Sequence, residues 1–144
     1  MMHSASAETQ RVDFSLIERW IPQSAKVLDL ACGDGALLSY LTKTKDVQGY
    51  GVENSPEQVT RCIENGVNVI QRTLSRDLEF FSDQSFDCVI MTQALQIMQH
   101  PDVILEEMLR IGKRCIVTFP NFGVIQARAH LATRGRMPVT KRMT

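Results

Sequence analysis

At 144 residues, with Lys plus Arg and Asp plus Glu balanced at 16 each, the chain has the length of one domain and no formal net charge. A hydrophobic content of 44% beside 22% charged residues is that of a folded globular domain and excludes a disordered or fibrous chain. No apolar run approaches the ~20 residues of a membrane-spanning helix, and the opening MMHSASAETQR lacks the apolar segment of a secretory signal, so a cytoplasmic protein without a membrane partner is expected.

Residues 1–10 read as a disordered tail ahead of a single domain over 11–134, with a basic tail over 135–144. Phe14, Leu16, Ile17, Trp20 and Ile21 are spaced for one face of a helix that Pro22 ends. A first strand is predicted over 26–31, a helix over 34–44 and a second strand over 47–53. Ser55 followed by Pro56 marks the N-terminus of a helix running to Asn65, with Gly66 as its stop. A short strand over 67–70 and a helical turn near 75–81 lead to a fourth strand, Phe86 to Met91. Pro101 opens a helix that Gly112 closes, a fifth strand spans 115–119, and the pattern then predicts a helix around 124–133. Alternating strands and helices give a parallel sheet with right-handed crossovers and helices on both faces.

Two features are not explained by packing. The first is charge: every acid lies at or before Glu107, whereas Arg110, Lys113, Arg114, Arg128, Arg134, Arg136, Lys141 and Arg142 follow without one. Such a segment either neutralises its own domain or docks a partner, with Arg134 and Arg136 as candidate contacts and Phe119, Phe122 and Met137 as apolar anchors. Nucleic acid is not expected, because no aromatic interleaving or nucleic-acid motif accompanies the charge. The four cysteines, Cys32, Cys62, Cys88 and Cys115, have no C-x-x-C spacing and read as reduced, small apolar residues rather than metal ligands.

The second feature is the stretch from Val27 to Glu53. An apolar strand ends in the small-residue turn Ala31-Cys32-Gly33-Asp34-Gly35, a helix follows, and Glu53 closes the next strand. Glycines in such a turn let the backbone approach a ligand, and an acid about 20 residues on can accept hydrogen bonds from ribose hydroxyls. The turn lacks the G-x-G-x-x-G of dinucleotide sites, and its flanking acids would repel a pyrophosphate while suiting an ammonium and a sulfonium. In a parallel sheet the carboxyl ends of the strands, Ala31 to Gly35, Glu53 to Ser55, Gln71 to Leu74 and Met91 to Gln93, converge on one crevice. An acid at the end of a strand has little structural purpose, so Glu53 is assigned to the ribose. Asp29 is read as an anchor for the amides of the turn ahead of a direct ligand contact. Asp34 reads as an N-terminal helix charge, and His100 as the cap of the helix opened by Pro101.

The D-L-x-C-G-x-G run with its following acid resembles class I S-adenosylmethionine-dependent methyltransferases. Beyond it, GYGVENSPEQVTRCIENGVNVIQ, FDCVIMTQALQ, HPDVILEEMLRIGKRCIVTFPNFG and RGRMPVTK are similar to the methionine biosynthesis MetW family over nearly the whole chain from Arg11. The resemblance implies a Rossmann-like methyltransferase fold of about five parallel strands, its C-terminal edge strands missing. It implies S-adenosylmethionine or S-adenosylhomocysteine as cofactor and homoserine O-acyltransferase as the partner activated by the chain. By the same resemblance Asp29, Ala31, Cys32, Gly33 and Gly35 surround the methionine moiety, Glu53 grips the ribose, and Asn54, Thr73 and Leu74 line the adenine. Thr92 and Gln93 meet the ammonium. Ala31 replaces the first motif glycine, tolerable where φ is negative, and Thr73 stands where an aspartate is common. No N-P-P-Y-like acceptor motif follows the fourth strand, which reads Thr92-Gln93-Ala94-Leu95, and no nucleophile elbow suggests acyl transfer by the chain itself. The expected function is therefore that of a nucleoside-binding accessory protein, with a free-standing small-molecule methyltransferase as the alternative.

Overall fold

Val27, Leu28 and Leu30 have no exposed surface because strand β1 (Lys26–Leu30) lies inside the sheet, paired in parallel with a strand on each side. Continuous apolar sequence is what a strand covered on both faces requires. The computed structural model describes residues 14–74, 78–92, 94–119, 123–128 and 139–142. Around β1 lie β2 (Gln48–Glu53), β3 (Asn68–Gln71), β4 (Phe86–Thr92) and β5 (Gly112–Phe119), and the sheet continues through β6 (Gly123–Arg128) and β7 (Val139–Arg142) in the order β3-β2-β1-β4-β5-β6-β7. The first five strands are mutually parallel, and β6 and β7 run antiparallel to their neighbours.

The helices divide between the faces. Residues 14–18 (α1) and α2 (Ala36–Lys45) place Ile17, Leu37, Leu38 and Leu41 over Val27, Cys88, Ile90 and Ile116. On the other face α4 (Pro101–Ile111) packs Ile104, Met108 and Ile111 over Leu28, Leu30, Met91 and Val117. The alternation of side chains along a strand sends Asp29 to the Val27 face. The helix α3 (Pro56–Glu64) is lighter: Cys62 is its one buried residue, and Ser55 caps it by accepting the Gln58 N–H at 3.5 Å. Asp34 takes its expected place, accepting the Ala36 N–H at 3.0 Å in the first turn of α2. The doubly covered parallel sheet is the expected Rossmann-like class I methyltransferase fold.

The carboxyl-terminal part differs from expectation. Residues read as a helix over 124–133 begin as strand β6, whose backbone pairs with β5 from Arg114↔Arg128 to Phe119↔Gly123. An open β5 edge leaves a row of amides and carbonyls without partners, and satisfying them outweighs the high helix propensity of Gln126, Ala127 and Arg128. The edge strands expected to be missing are thus present as β6 and β7, and Val139–Arg142 of the supposed tail belong to the sheet. The described residues of 75–81 form no helix, only a single turn in which the Phe81 N–H donates to the Leu78 carbonyl at 3.0 Å. That loop is instead pinned by Arg110, which donates to the carbonyls of Phe81 at 2.7 Å and Leu78 at 2.9 Å and pairs with Asp83 and Glu107. Lys113 pairs with Asp87 at 3.5 Å. The first cations of the basic segment are therefore counter-charges to the acids of their own domain. Arg134, Arg136, Phe122 and Met137 lie outside the described residues.

Candidate functional site

The turn after β1 takes its shape from three consecutive demands on the backbone. Ala31, Gly33 and Gly35 all adopt left-handed φ, at 59°, 59° and 80°. Gly33 is suited to this, and a Cβ built on it would meet nothing within 4 Å, so its α-carbon faces open space. Gly35 is the N-cap of α2, and a Cβ there would lie 3.0 Å from Cγ2 of Val67. Ala31 departs from the expectation of negative φ: its methyl group is held in the left-handed region, a local strain that a glycine would not carry. The turn returns to the sheet through the Cys32 N–H, which donates to the Val52 carbonyl at 3.1 Å.

Glu53 holds this turn in place. Its Oε1 accepts the Gly33 N–H at 2.9 Å, while Oε2 accepts the N–H groups of Asn54 at 2.9 Å and Ser55 at 2.8 Å. The turn-anchoring role read for Asp29 is thus filled by Glu53, whose carboxylate has a structural purpose that its place at a strand end did not suggest. Asp29 is 1% exposed, and its Oδ1 has no hydrogen-bond partner. Burial first, and the nearby Glu53 carboxylate second, push its carboxyl up from 3.8 to about 8. A buried acid without compensation is a strained element of the site, and a cation placed against it would relieve it.

The rim is built from the next strand ends. Arg72 N–H donates to the Glu53 carbonyl at 3.0 Å, and the Thr73 hydroxyl donates to Asn54 Oδ1 at 3.0 Å, which fastens the loop after β3 to that after β2. Asn54 and Thr73 are exposed, and Leu74 is half-buried against the α4-side core. Thr92 ends β4 half-buried, in register with Thr118 of β5. Gln93 lies outside the described residues. The structure thus gathers Asp29, Ala31, Cys32, Gly33, Gly35 and Glu53 into one turn-and-strand unit, with Asn54, Thr73 and Leu74 along one side of it. His100 occupies the N-cap position of α4, but its side chain makes no capping bond and is exposed. Cys62 was missed: its thiol donates to the Gly33 carbonyl at 3.1 Å, across a separation of 29 residues that leaves no local pattern.

These groups fit a nucleoside with a cationic tail. Gly33 and Gly35 keep side chains off the approach, Asp29 offers a desolvated carboxyl that a cation would ionise, and Glu53 retains a lone pair on Oε1 for a hydroxyl after taking three amides. Among the described residues no cluster of three or more His, Cys, Asp or Glu could hold a metal ion, and no helix is long and apolar enough to cross a membrane.

Comparison with known proteins bears on the family and the fold. The model of the family described as methionine biosynthesis protein MetW matches residues 11–144. The bifunctional methionine biosynthesis protein MetXA/MetW of Rhodopirellula baltica is 37% identical over 138 residues, covering 90% of this chain and 22% of its own length. The chain therefore spans about a fifth of that relative. Among solved structures, the TehB-like SAM-dependent methyltransferase of Corynebacterium glutamicum superposes with a TM-score of 0.62 at 20% identity, covering 81% of this chain and 73% of that one. The [4+2]-cyclase SpnF superposes with a TM-score of 0.64 at 24% identity over 72% of this chain and 42% of its own. At these identities the likeness is one of fold.

Proposed function

Because the chain belongs to the family of methionine biosynthesis protein MetW, we propose that its crevice binds S-adenosylmethionine or S-adenosylhomocysteine in the service of methionine synthesis. The observation that carries this reading is the pairing of Asp29 with Glu53. One is buried with its Oδ1 unpartnered, and the other is half-exposed at the rim of the turn and bonded to Gly33. In the proposed complex the ligand's ammonium faces Asp29, drawing its proton off, while a ribose hydroxyl donates to Glu53 Oε1. Asn54, Thr73 and Leu74 flank the adenine, and Thr92 closes the methionine end. S-adenosylmethionine would supply an electrophilic methyl group there; the chain's own residues bind, orient and exclude water.

The same fold carries unrelated reactions, and the superposition on a cyclase is a case of it. The nucleoside reading therefore rests on the site and not on the fold, and it is from the family that we further infer an accessory protein that associates with homoserine O-acyltransferase and alters its activity. The relative that joins MetXA and MetW in one polypeptide favours a physical association, since tethering raises effective concentration where two activities work together. A ligand shifts such a complex only by its differential affinity for two states. The test is co-purification with homoserine O-acyltransferase, followed by acylation rates with and without this chain and with added nucleoside. Association with a changed rate is the expected result, and no association with an unchanged rate contradicts it. Methyl-labelled cofactor incubated with cell extract separates the alternative, since a free-standing methyltransferase gives a labelled product that depends on the protein.

A further inference from the structure

Two sulfur atoms meet inside the turn. The Sγ atoms of Cys32 and Cys62 are 3.7 Å apart, both buried, and both point at one acceptor, the Gly33 carbonyl, at 3.8 Å and 3.1 Å. The backbone is shaped around them. A Cβ on Gly51 would lie 2.5 Å from the Cys32 sulfur, and a Cβ on Gly35 would lie 3.1 Å from that of Cys62. Two glycines in different elements thus leave the space these sulfurs fill.

We propose that Cys32 and Cys62 are a dithiol oxidised by hydroperoxides to an intramolecular disulfide, which ties the turn after β1 to α3. Geometry favours the bond. The sulfurs need to close by roughly 1.7 Å to reach the ~2.05 Å of a disulfide. The helix that must move is lightly held by the core, because Cys62 is the sole buried residue of α3. Cys32 reacts first, being 8% exposed beside the open space at Gly33, whereas Cys62 is 0% exposed. The Cys32 sulfur attacks one peroxide oxygen, the O–O bond breaks, and water leaves with the thiol proton, giving a sulfenic acid. The Cys62 sulfur then attacks the Cys32 sulfur, the S–S bond forms, the S–O bond breaks, and a second water carries away the Cys62 proton. Two thiols lose two electrons and two protons, and one hydrogen peroxide becomes two waters.

Burial, followed by the neighbouring Asp29 carboxylate, raises the Cys32 thiol; burial also leads the rise at Cys62, with Asp34, Glu53 and Asp29 adding to it. The thiolate is the reactive form, so oxidation is slow at neutral pH and quickens as pH rises. Once the bond forms, neither sulfur donates to the Gly33 carbonyl, and the turn that carries Gly33 and Gly35 is drawn toward α3. Cys88 and Cys115 supply an internal control. They pack on opposite faces of the sheet and are not brought together.

The test treats the fully reduced chain with hydrogen peroxide under native conditions across pH 7 to 9, then alkylates free thiols in denaturant. The expected product has lost two hydrogens, yields a linked peptide pair containing Cys32 and Cys62, keeps Cys88 and Cys115 alkylated, and reverts with dithiothreitol. The variant Cys62→Ser should give a Cys32 sulfenic acid trapped by dimedone without a link; Cys62→Ala serves if the serine variant fails to fold. Four alkylated thiols in the treated wild type, oxidation to sulfinic acid without a link, or a link through Cys88 or Cys115 would overturn the proposal.

Discussion

Two carboxylates lie at the turn after β1, Glu53 at its rim and Asp29 buried in the strand before it, and the two are in opposite states. Glu53, at the rim, accepts three backbone N–H bonds and fixes the shape of the turn. Asp29, in the strand, is as buried as the leucines beside it and has an oxygen without a partner. The same chemical group is satisfied in one place and frustrated in the other because its pKa and its role are set by surroundings, not by residue type. A satisfied acid organises protein, whereas a frustrated one keeps its interaction energy for something that arrives later. The comparison assigns stability to Glu53, and on our proposal affinity for a cation to Asp29.

The largest effect expected from this contrast is at Asp29. Its folded carboxyl holds a proton up to about pH 8, whereas the unfolded one releases it near 3.8. Stability from this group is therefore complete below pH 3.8, declines as pH climbs toward 8, and levels above that. The span is on the order of 3–6 kcal/mol. Asp29→Asn should flatten the decline and leave the variant more stable than wild type at pH 8, as read from denaturant unfolding at several pH values. An unchanged slope would mean that Asp29 is ionised in the folded chain and that the contrast with Glu53 is false.

Glu53→Ala comes next. Viewed from sequence alone, this change would spare the fold; with three amides depending on the carboxylate, it should cost about 2–4 kcal/mol. It should also weaken nucleoside binding at least about tenfold. Thermal melts and calorimetric titration of the same preparation separate the two effects, and a variant as stable as wild type would return Glu53 to a ligand role alone.

How far these roles could be read in advance depended on distance along the chain. The turn, α2, α3 with its Ser55-Pro56 start and the strand ending in Glu53 all follow from local patterns, and the structure has them within one or two residues. What each acid does was not legible, because the Gly33 N–H finds its acceptor 20 residues away and hydrogen-bond partners leave no periodicity. The contact of Cys62 with Cys32, across 30 residues, was hidden for the same reason. At the other edge of the sheet, local propensity pointed the wrong way. A helix over 124–133 was reasonable for an isolated segment, but β5 offered an unpaired edge and β6 took it.

The smallest effect sharpens the description of the turn itself. Ala31 at φ 59° carries a left-handed strain of about 1–2 kcal/mol, and a glycine there would relieve it while adding about 0.5–1 kcal/mol of unfolded-state entropy. Ala31→Gly should therefore stabilise the chain by about 0.5–1 kcal/mol in denaturant unfolding. A loss of stability would show that the methyl group's packing against the core outweighs its backbone strain.

The most direct test of the account is calorimetric titration of wild type and Asp29→Asn with S-adenosylhomocysteine between pH 6 and 8, in buffers of differing ionisation enthalpy. Binding of the ligand's ammonium against Asp29 should expel the carboxyl proton below about pH 8. Wild-type affinity should therefore rise with pH, with close to one proton released at pH 6, and the variant should bind more weakly with no release. Equal affinities for the two proteins, or wild-type binding that releases no proton, would contradict the assignment of Asp29 as the cation-binding acid of the crevice.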